Sequence, residues 1–441
     1  MPNPYQTSDR VERLASAEAD IGTQTVLHRS VTMLLLICIG EAIYILPFVI
    51  ARVFRPTLLN VFQLTNLELG SAFAVYGVVA MISYLPGGPL ADRFESRGMM
   101  TFALLTTAIG GIAMATIPSP RILALIYGYW GLTTILLFWA PLIRATRVWG
   151  GSIQSGRAFG LLDGGRGLVA AIIGSVSVIV FASWLPEDVT TTTAAERTTA
   201  FSRVIILYSV VTAVAGLLVW ICLPPEDRAT GNRPVRAPML PAMRRVLRLP
   251  TVWLQALIVM CAYVGYKGLD NVALYAHETM GFDEVQAAAL SAKLLWVRPF
   301  AAIGAGLIGD RCGVSLLAAV SFVLAACGSA VVAVGLIQPG MLVGLYLTLC
   351  ATSGGVYALR GLYFAIMDEG SIPMAETGAA VGIVSLVGYT PDIFIGPVIG
   401  KLLDQSPGAT GHQHVFAVLS LFFMVGLIAS ILYRRTAART R

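Results

Sequence analysis

Apolar runs of about 20 residues recur along nearly the whole chain, each long enough to cross a hydrocarbon layer of about 30 Å as a helix. Twelve can be read, at 31–54, 69–90, 98–117, 121–143, 158–183, 201–223, 251–275, 285–308, 314–336, 339–362, 377–402 and 414–433. In lipid the backbone must satisfy its own hydrogen bonds, so these spans are helices. Composition agrees: 56% of the 441 residues are hydrophobic and 12% are charged, where a soluble domain carries about 25% charged. The fold class is an all-α membrane protein with twelve transmembrane helices.

Arginine placement orients the chain. With the N-terminus inside, the cytoplasmic segments hold nineteen arginines and the opposite side five: Arg52, Arg55, Arg121, Arg197 and Arg203. This bias predicts both termini on the cytoplasmic side. It also accounts for the net charge of +6 without nucleic-acid binding. The first 30 residues are polar, with no short apolar core and cleavage site, so no removable leader is expected. The six cysteines lie in spans or at their cytoplasmic ends, which predicts no disulfide. His412 and His414 form a His-x-His that reads as a solvated outer loop, and no spacing suggests a metal site. Short outer loops suit a bacterial inner membrane.

The connection at 224–250 is rich in proline, glycine and arginine and reads as a cytoplasmic linker. It divides the chain into a tail (1–30), a first six-helix bundle (31–223), a second bundle (251–435) and a short terminal tail (436–441). A repeat crosses it. Gly88-Pro89-Leu90-Ala91-Asp92-Arg93 follows the second span, and Gly306-Leu307-Ile308-Gly309-Asp310-Arg311 follows the eighth, offset by half the chain.

This six-plus-six layout resembles the major facilitator superfamily of secondary transporters, whose signature between the second and third helices is Gly-x-x-x-Asp-Arg-x-Gly-x-Arg-Arg. Gly88, Asp92, Arg93 and Arg97 fit it; Glu95 and Gly98 depart from it. The second copy keeps Gly306, Asp310, Arg311 and Gly313, with Ser315 and Leu316 where bases belong. The resemblance implies two pseudo-symmetric six-helix bundles that rock about a central site. It also implies a conformational latch formed by Gly88, Asp92, Arg93, Arg97, Asp310 and Arg311. Physically, a carboxylate at such a loop can sit on the positive N-terminus of a neighbouring helix. The same arginines also serve topology.

Nine ionisable residues lie inside the spans: Glu41, Asp163, Arg166, Lys267, Asp270, Lys293, Arg298, Arg360 and Asp392. Facing lipid, they would together cost on the order of 25 kcal/mol, so they must meet one another or line a watery cavity. Glu41 lies near the midplane with no base within four positions. It reads either as a proton carrier or as the partner of Lys293 or Arg298. Asp163 and Arg166, and Lys267 and Asp270, are spaced three apart on one helical face and can neutralise each other. The seventh span duplicates the first, so Glu41 is expected to face Lys267 and Asp270 across the cavity. Pro47 and Pro391 are expected to kink the first and eleventh spans.

Removing the two self-neutralising pairs leaves Lys293, Arg298 and Arg360 against Glu41 and Asp392, a surplus of one positive charge. Guanidinium groups pair with carboxylate, phosphate or sulfonate, which points to a small organic anion moved with protons. The expected substrate-binding residues are Arg166, Lys267, Lys293, Arg298, Tyr263, Tyr266, Asn271 and Tyr389. The expected proton-coupling residues are Glu41, Asp163, Asp270 and Asp392. The tyrosines with Asn271 equally suit a neutral sugar, and an efflux antiporter for amphipathic compounds or a non-transporting sensor are further readings. Arg360, near an inner helix end, is explained by topology alone. No catalytic triad, metal cluster or phosphate-binding loop is present in the sequence, so neither an enzyme nor a cofactor is expected. The partners expected are a small-molecule substrate, protons and the bilayer, with the chain acting as a monomer.

Overall fold

The computed structural model describes residues 29–150, 155–224, 244–363, 365–370 and 377–440. Most of the expected N-terminal tail and linker, at 1–28 and 225–243, lies outside the described residues. Among those described, twelve helices are long and apolar enough to span a membrane. They are α1 (Arg29–Val53), α2 (Asn66–Ala91), α3 (Ser96–Ala115), α4 (Pro120–Trp149), α5 (Gly160–Ser183) and α6 (Ala194–Cys222) in the first half. The second half has α7 (Pro250–Met280), α8 (Glu284–Cys312), α9 (Val314–Ala333), α10 (Leu342–Leu362), α11 (Ala380–Gln405) and α12 (Ala409–Ala438). Large apolar side chains such as Leu85, Ile109, Ile221, Phe300 and Leu421 point outward, which is the face a helix bundle presents to acyl chains.

The duplication is visible in the helix starts. Thr65 caps α2 through a reciprocal box with Glu68, and Asp283 caps α8 through the same box with Gln286. The two boxes stand at the offset of the repeated loops. Each half buries its own apolar core. One core runs from Val246 to Ala437, and two adjoining clusters fill the first half. Ala288, Ala292 and Leu295 of α8 are buried in the first-half cluster, so the start of α8 docks into the opposite bundle.

The halves are sewn together at the end away from the termini, here called the far end. Arg197 Nε lies 2.8 Å from Glu284 Oε1, and Thr57 Oγ1 donates to Glu284 Oε2 at 3.1 Å. The Asp404 carboxylate accepts the backbone amides of Asn66 and Leu67 at 3.0 and 2.8 Å. It thereby caps the start of α2 with a charge of the right sign. Glycines bring α2 and α11 into backbone contact: a methyl at Gly70 would overlap the Gly396 carbonyl, and one at Gly77 would lie 2.6 Å from the backbone of Asp392.

Apart from a π-helical stretch in α4 at Leu132–Trp139, four of the described spans break within the membrane. Pro47 lies in a π-helical turn, Ile45–Val49, because its ring removes one donor from the ladder. Span α7 narrows to a 3-10 turn at Leu269–Asn271. Span α8 is interrupted after Leu295 and resumes at Val297, with Pro299 following. Span α11 ends its first segment at Gly388 and restarts at Pro391. Irregular backbone at membrane depth survives where it borders protein or a cavity, and these breaks surround the ionic site.

Candidate functional site

A charge lies on or close to each of the breaks in α1, α7, α8 and α11. Asp270 sits on the 3-10 turn of α7, while Arg298 and Asp392 lie in the first turns of the restarted segments of α8 and α11. Glu41 is four residues before the π-turn of α1. Two networks result.

The first network contains three arginines and two carboxylates. Glu41 Oε2 lies 3.2 Å from Arg166 Nε, and its Oε1 lies 3.3 Å from Arg298 Nη1. Asp163 Oδ1 lies 3.6 Å from Arg298 Nη2 and 3.9 Å from both Arg360 Nη2 and Arg166 Nη1. The set carries one excess positive charge. Among the described residues, Arg298 Nε and Arg360 Nε make no hydrogen bond, and Arg166 Nε and Arg298 Nη2 meet their carboxylates only as ion pairs without hydrogen-bond geometry. Buried guanidinium donors without acceptors are costly, and an oxyanion would satisfy them.

The second network is neutral. Asp270 Oδ1 accepts from Arg52 Nε at 2.5 Å, and its Oδ2 lies 3.7 Å from Lys267 Nζ. Lys267 also reaches Asp392 Oδ1 at 3.4 Å, and the Tyr263 hydroxyl donates to both Asp392 oxygens at 2.9 and 3.1 Å. Tyr266 joins the networks: the guanidinium of Arg52 lies 4.2 Å from its ring centroid and that of Arg360 4.0 Å. Such contacts are worth about 0.5–2 kcal/mol. Lys267 sits 4.2 Å over Phe48, and Arg166 stacks near Tyr44 and Trp139.

Between the networks lies a cavity of about 90 Å³, bordered by Glu41, Arg52, Arg166, Arg360, Tyr389 and Asp392. Its lining continues to Tyr84 and Trp139 toward the end that carries the termini. Asp163 is the more open acid of the first network, its side chain 33% exposed against 4% for Glu41.

The profile of the Major Facilitator Superfamily matches residues 37–394. The chain belongs to the Major Facilitator Superfamily. It is therefore a membrane transporter of small molecules rather than an enzyme, and its fold is the twelve-helix fold of that family. Among relatives, it is 28% identical over 381 residues to the inner membrane protein YqcE of Escherichia coli (strain K12), covering 84% of this chain and 87% of that one. It is 26% identical over 434 residues to the inner membrane protein YihN of the same organism, covering 92% and 96%. Among solved structures it resembles a bacterial homologue of the human lysosomal transporter Spinster in an inward-facing, unoccupied conformation. The TM-score is 0.73 at 16% identity, over 94% of this chain and 98% of that one. The nucleoside transporter NupG is similar at a TM-score of 0.69 and 14% identity, over 92% and 99%.

Within the family fold, the structure brings together Glu41, Asp163, Arg166 and Arg298, and separately Lys267, Asp270, Asp392 and Tyr263. Tyr266 and Tyr389 line the cavity, with Tyr389 edge-on to Tyr263 at 4.9 Å. Glu41 and the set holding Lys267 and Asp270 lie on either side of the cavity, and of the two bases expected as its partner Glu41 meets Arg298 and not Lys293; its second partner is Arg166. Lys293 is exposed beside Tyr346, 3.4 Å from its hydroxyl. Asn271 is buried away from the cavity, donating to the Gly268 carbonyl at 3.2 Å.

Two arginines that topology alone explains in the sequence lie at the candidate site. Arg52, counted as an outer-side residue, is 3% exposed and pairs with Asp270; Arg360, assigned to an inner end, lines the cavity. A signal for Arg52 existed: Asp270 lies at its duplicate position, 218 residues on, with the opposite charge. Arg55 is likewise buried rather than in an outer loop. His412 is also not solvated. It is fully buried, its Nε2 2.9 Å from Glu278 Oε2.

At the expected latch, Arg93, Asp310 and Arg311 are exposed, Gly88 borders open space, and the Asp92 side chain lies outside the description. Arg97 pairs with Glu95 at 3.3 Å and stacks on Trp220 at 4.6 Å. The carboxylate on the N-terminus of α9 comes from Glu369, whose Oε1 accepts from the Val314 and Ser315 amides at 2.5 and 3.2 Å.

Proposed function

We propose that this transporter carries a small organic anion together with protons, by alternating access. The observation that supports it most is that, among the described residues, Arg166, Arg298 and Arg360 share two carboxylates, Glu41 and Asp163, with Glu41, Arg166 and Arg360 lining the cavity. A carboxylate, phosphate or sulfonate of the substrate competes with Glu41 and Asp163 for guanidinium donors. A carboxylate displaced from its arginine in a poorly solvated site takes up a proton. Substrate and proton then cross together, and the carboxylate returns to its arginine after release. Asp392 on the opposite wall, with Lys267 and Asp270 behind it, belongs to a second set in which protonation of the carboxylates loosens the contact between halves.

The cavity volume also favours a small solute. About 90 Å³ is well below the ~300–1,000 Å³ of sites that hold drug-sized ligands, so an amphipathic efflux substrate fits it poorly. A neutral sugar is disfavoured because the Tyr263 hydroxyl is already committed to Asp392. The arginine bias supports termini in the cytoplasm, and with that orientation the far-end contacts close the site toward the outside. A bacterial inner membrane agrees with the names of the two Escherichia coli relatives.

The test is a thermal-shift screen of purified protein against organic anions, sugars and amphipathic drugs, since a bound ligand raises the melting temperature by mass action. Anions should stabilise the wild type and the exposed-residue control Lys293→Ala, and lose their effect in Arg298→Lys and Arg298→Ala. Stabilisation by sugars or drugs that survives Arg298→Ala overturns the reading.

A further inference from the structure

A cavity of about 350 Å³ lies outside the central site, in the cleft between the start of α9 and the end of α12. It is bordered by Ser315, Leu316 and Ala319 of α9 and by Ser430, Ile431, Arg434 and Arg435 of α12. The cleft is at the end that carries the termini, where the helices leave the hydrocarbon layer. Its chemistry changes along its length. At the helix ends stand two exposed guanidinium groups. Below them, apolar stripes run side by side into the span: Leu316, Val320 and Val323 on α9, and Ile431, Ile428 and Met424 on α12, all exposed.

Three other basic side chains at this end, Arg29, Arg97 and Arg144, are held by the protein. Arg29 donates to the Trp149 carbonyl and stacks on its ring. Arg97 is paired with Glu95 and stacked on Trp220. Arg144 donates to the Ala91 carbonyl at 2.7 Å. Arg434 and Arg435 instead border a cavity, and among the described residues they form no ion pair or ring contact. The neighbouring carboxylate, Glu369, is turned to the amides of Val314 and Ser315 and so serves the start of α9.

We propose that the cleft between α9 and α12 is a binding site for an anionic phospholipid, with the phosphate held by Arg434 and Arg435 and the acyl chains laid along the paired apolar stripes. Charge complementarity selects the headgroup, and the stripe selects a lipid over a soluble phosphate. The proposal does not depend on the identity of the transported solute. It assigns the end of α12 a role in fixing the second half to one leaflet while the first half moves.

The experiment is native mass spectrometry of the full-length protein in detergent, titrated with phosphatidylglycerol, with phosphatidylcholine of the same chains, and with glycerol phosphate. Wild type should retain phosphatidylglycerol in preference to the other two. Arg434→Gln with Arg435→Gln should weaken retention roughly 25-fold, about fivefold for each arginine near an anionic surface. Ile431→Trp, which fills the cleft and leaves both arginines, should weaken it as well. Melting temperatures without added lipid should match the wild type, because all three positions are exposed. Equal retention of phosphatidylcholine, equal binding of glycerol phosphate, or undiminished retention in either variant overturns the proposal.

Discussion

Arg52 and Asp270 occupy duplicate positions in the two halves, 218 residues apart, and hold each other at 2.5 Å. Each partner belongs to a different half, so parting of the halves at this point separates them. The Arg52 carbonyl also accepts from Ser291 Oγ of α8 at 2.9 Å. Both ends of one residue thus tie the first bundle to the second.

Removing one partner of a buried ion pair costs about 3–5 kcal/mol. Here the cost falls on the conformation described, in which the pair joins the two halves. Lys267 remains beside Asp270 and softens the loss. Arg52→Ala should still shift the population toward an open far end by at least about tenfold. Spin labels at the exposed far-end residues Asn60 and Gln405, one in each half, should report a longer distance in the variant. An unchanged distance distribution would remove Arg52 from the gate.

Glu41 is the deepest acid of the arginine-rich network, with two guanidinium groups within 3.3 Å. Glu41→Gln cannot exchange a proton but keeps the shape. In proteoliposomes it should abolish accumulation driven by a pH gradient while retaining counterflow of substrate. Accumulation equal to wild type would transfer the coupling role to Asp163 or Asp392.

Backbone contact between α2 and α11 depends on glycine at Gly70 and Gly396. A methyl group at Gly70 forces the helices apart, and overpacking of this kind costs about 1–3 kcal/mol. Gly70→Ala should lower the melting temperature and lengthen the same spin-label distance as Arg52→Ala. A variant as stable and as closed as wild type would mean the helices can slide to accommodate it.

Glu369 gives two acceptors to the amides that open α9. Loss of a charged cap costs about 0.5–2 kcal/mol. Glu369→Gln should therefore lower thermal stability measurably. Asp310→Asn, at an exposed position, should leave stability unchanged; if Asp310 acts as a conformational latch, it should alter transport rate alone. A stability loss in Asp310→Asn and none in Glu369→Gln would reverse these assignments.

Much of the architecture was legible because membrane physics leaves few choices. A run of apolar residues as long as the bilayer is thick must be a helix, and a repeated loop at half-length signals duplication. The capping boxes at Thr65 and Asp283 extend that register in detail. The chemistry was legible by type: a charge inside a span needs a partner, and Glu41, Asp163, Arg166 and Arg298 found one another. Lys293 misled because its position along α8 says nothing about which way it faces, and a half-turn puts it outside the bundle. His412 misled for the opposite reason, since a helix start that reads as loop is covered by Glu278 and Tyr275.

Sequence alone thus determined the spans, the duplication, the family and the presence of buried ions, all of which follow from local composition and spacing. Tertiary structure decided which ion meets which. Arg52 left the outer loop for Asp270, and Arg360 left the inner end for the cavity wall. Pairing across a bundle depends on helix rotation and on where Pro47, Pro299 and Pro391 break the ladder. Those rotations are fixed by packing over the whole molecule and carry no signature in any one stretch of chain.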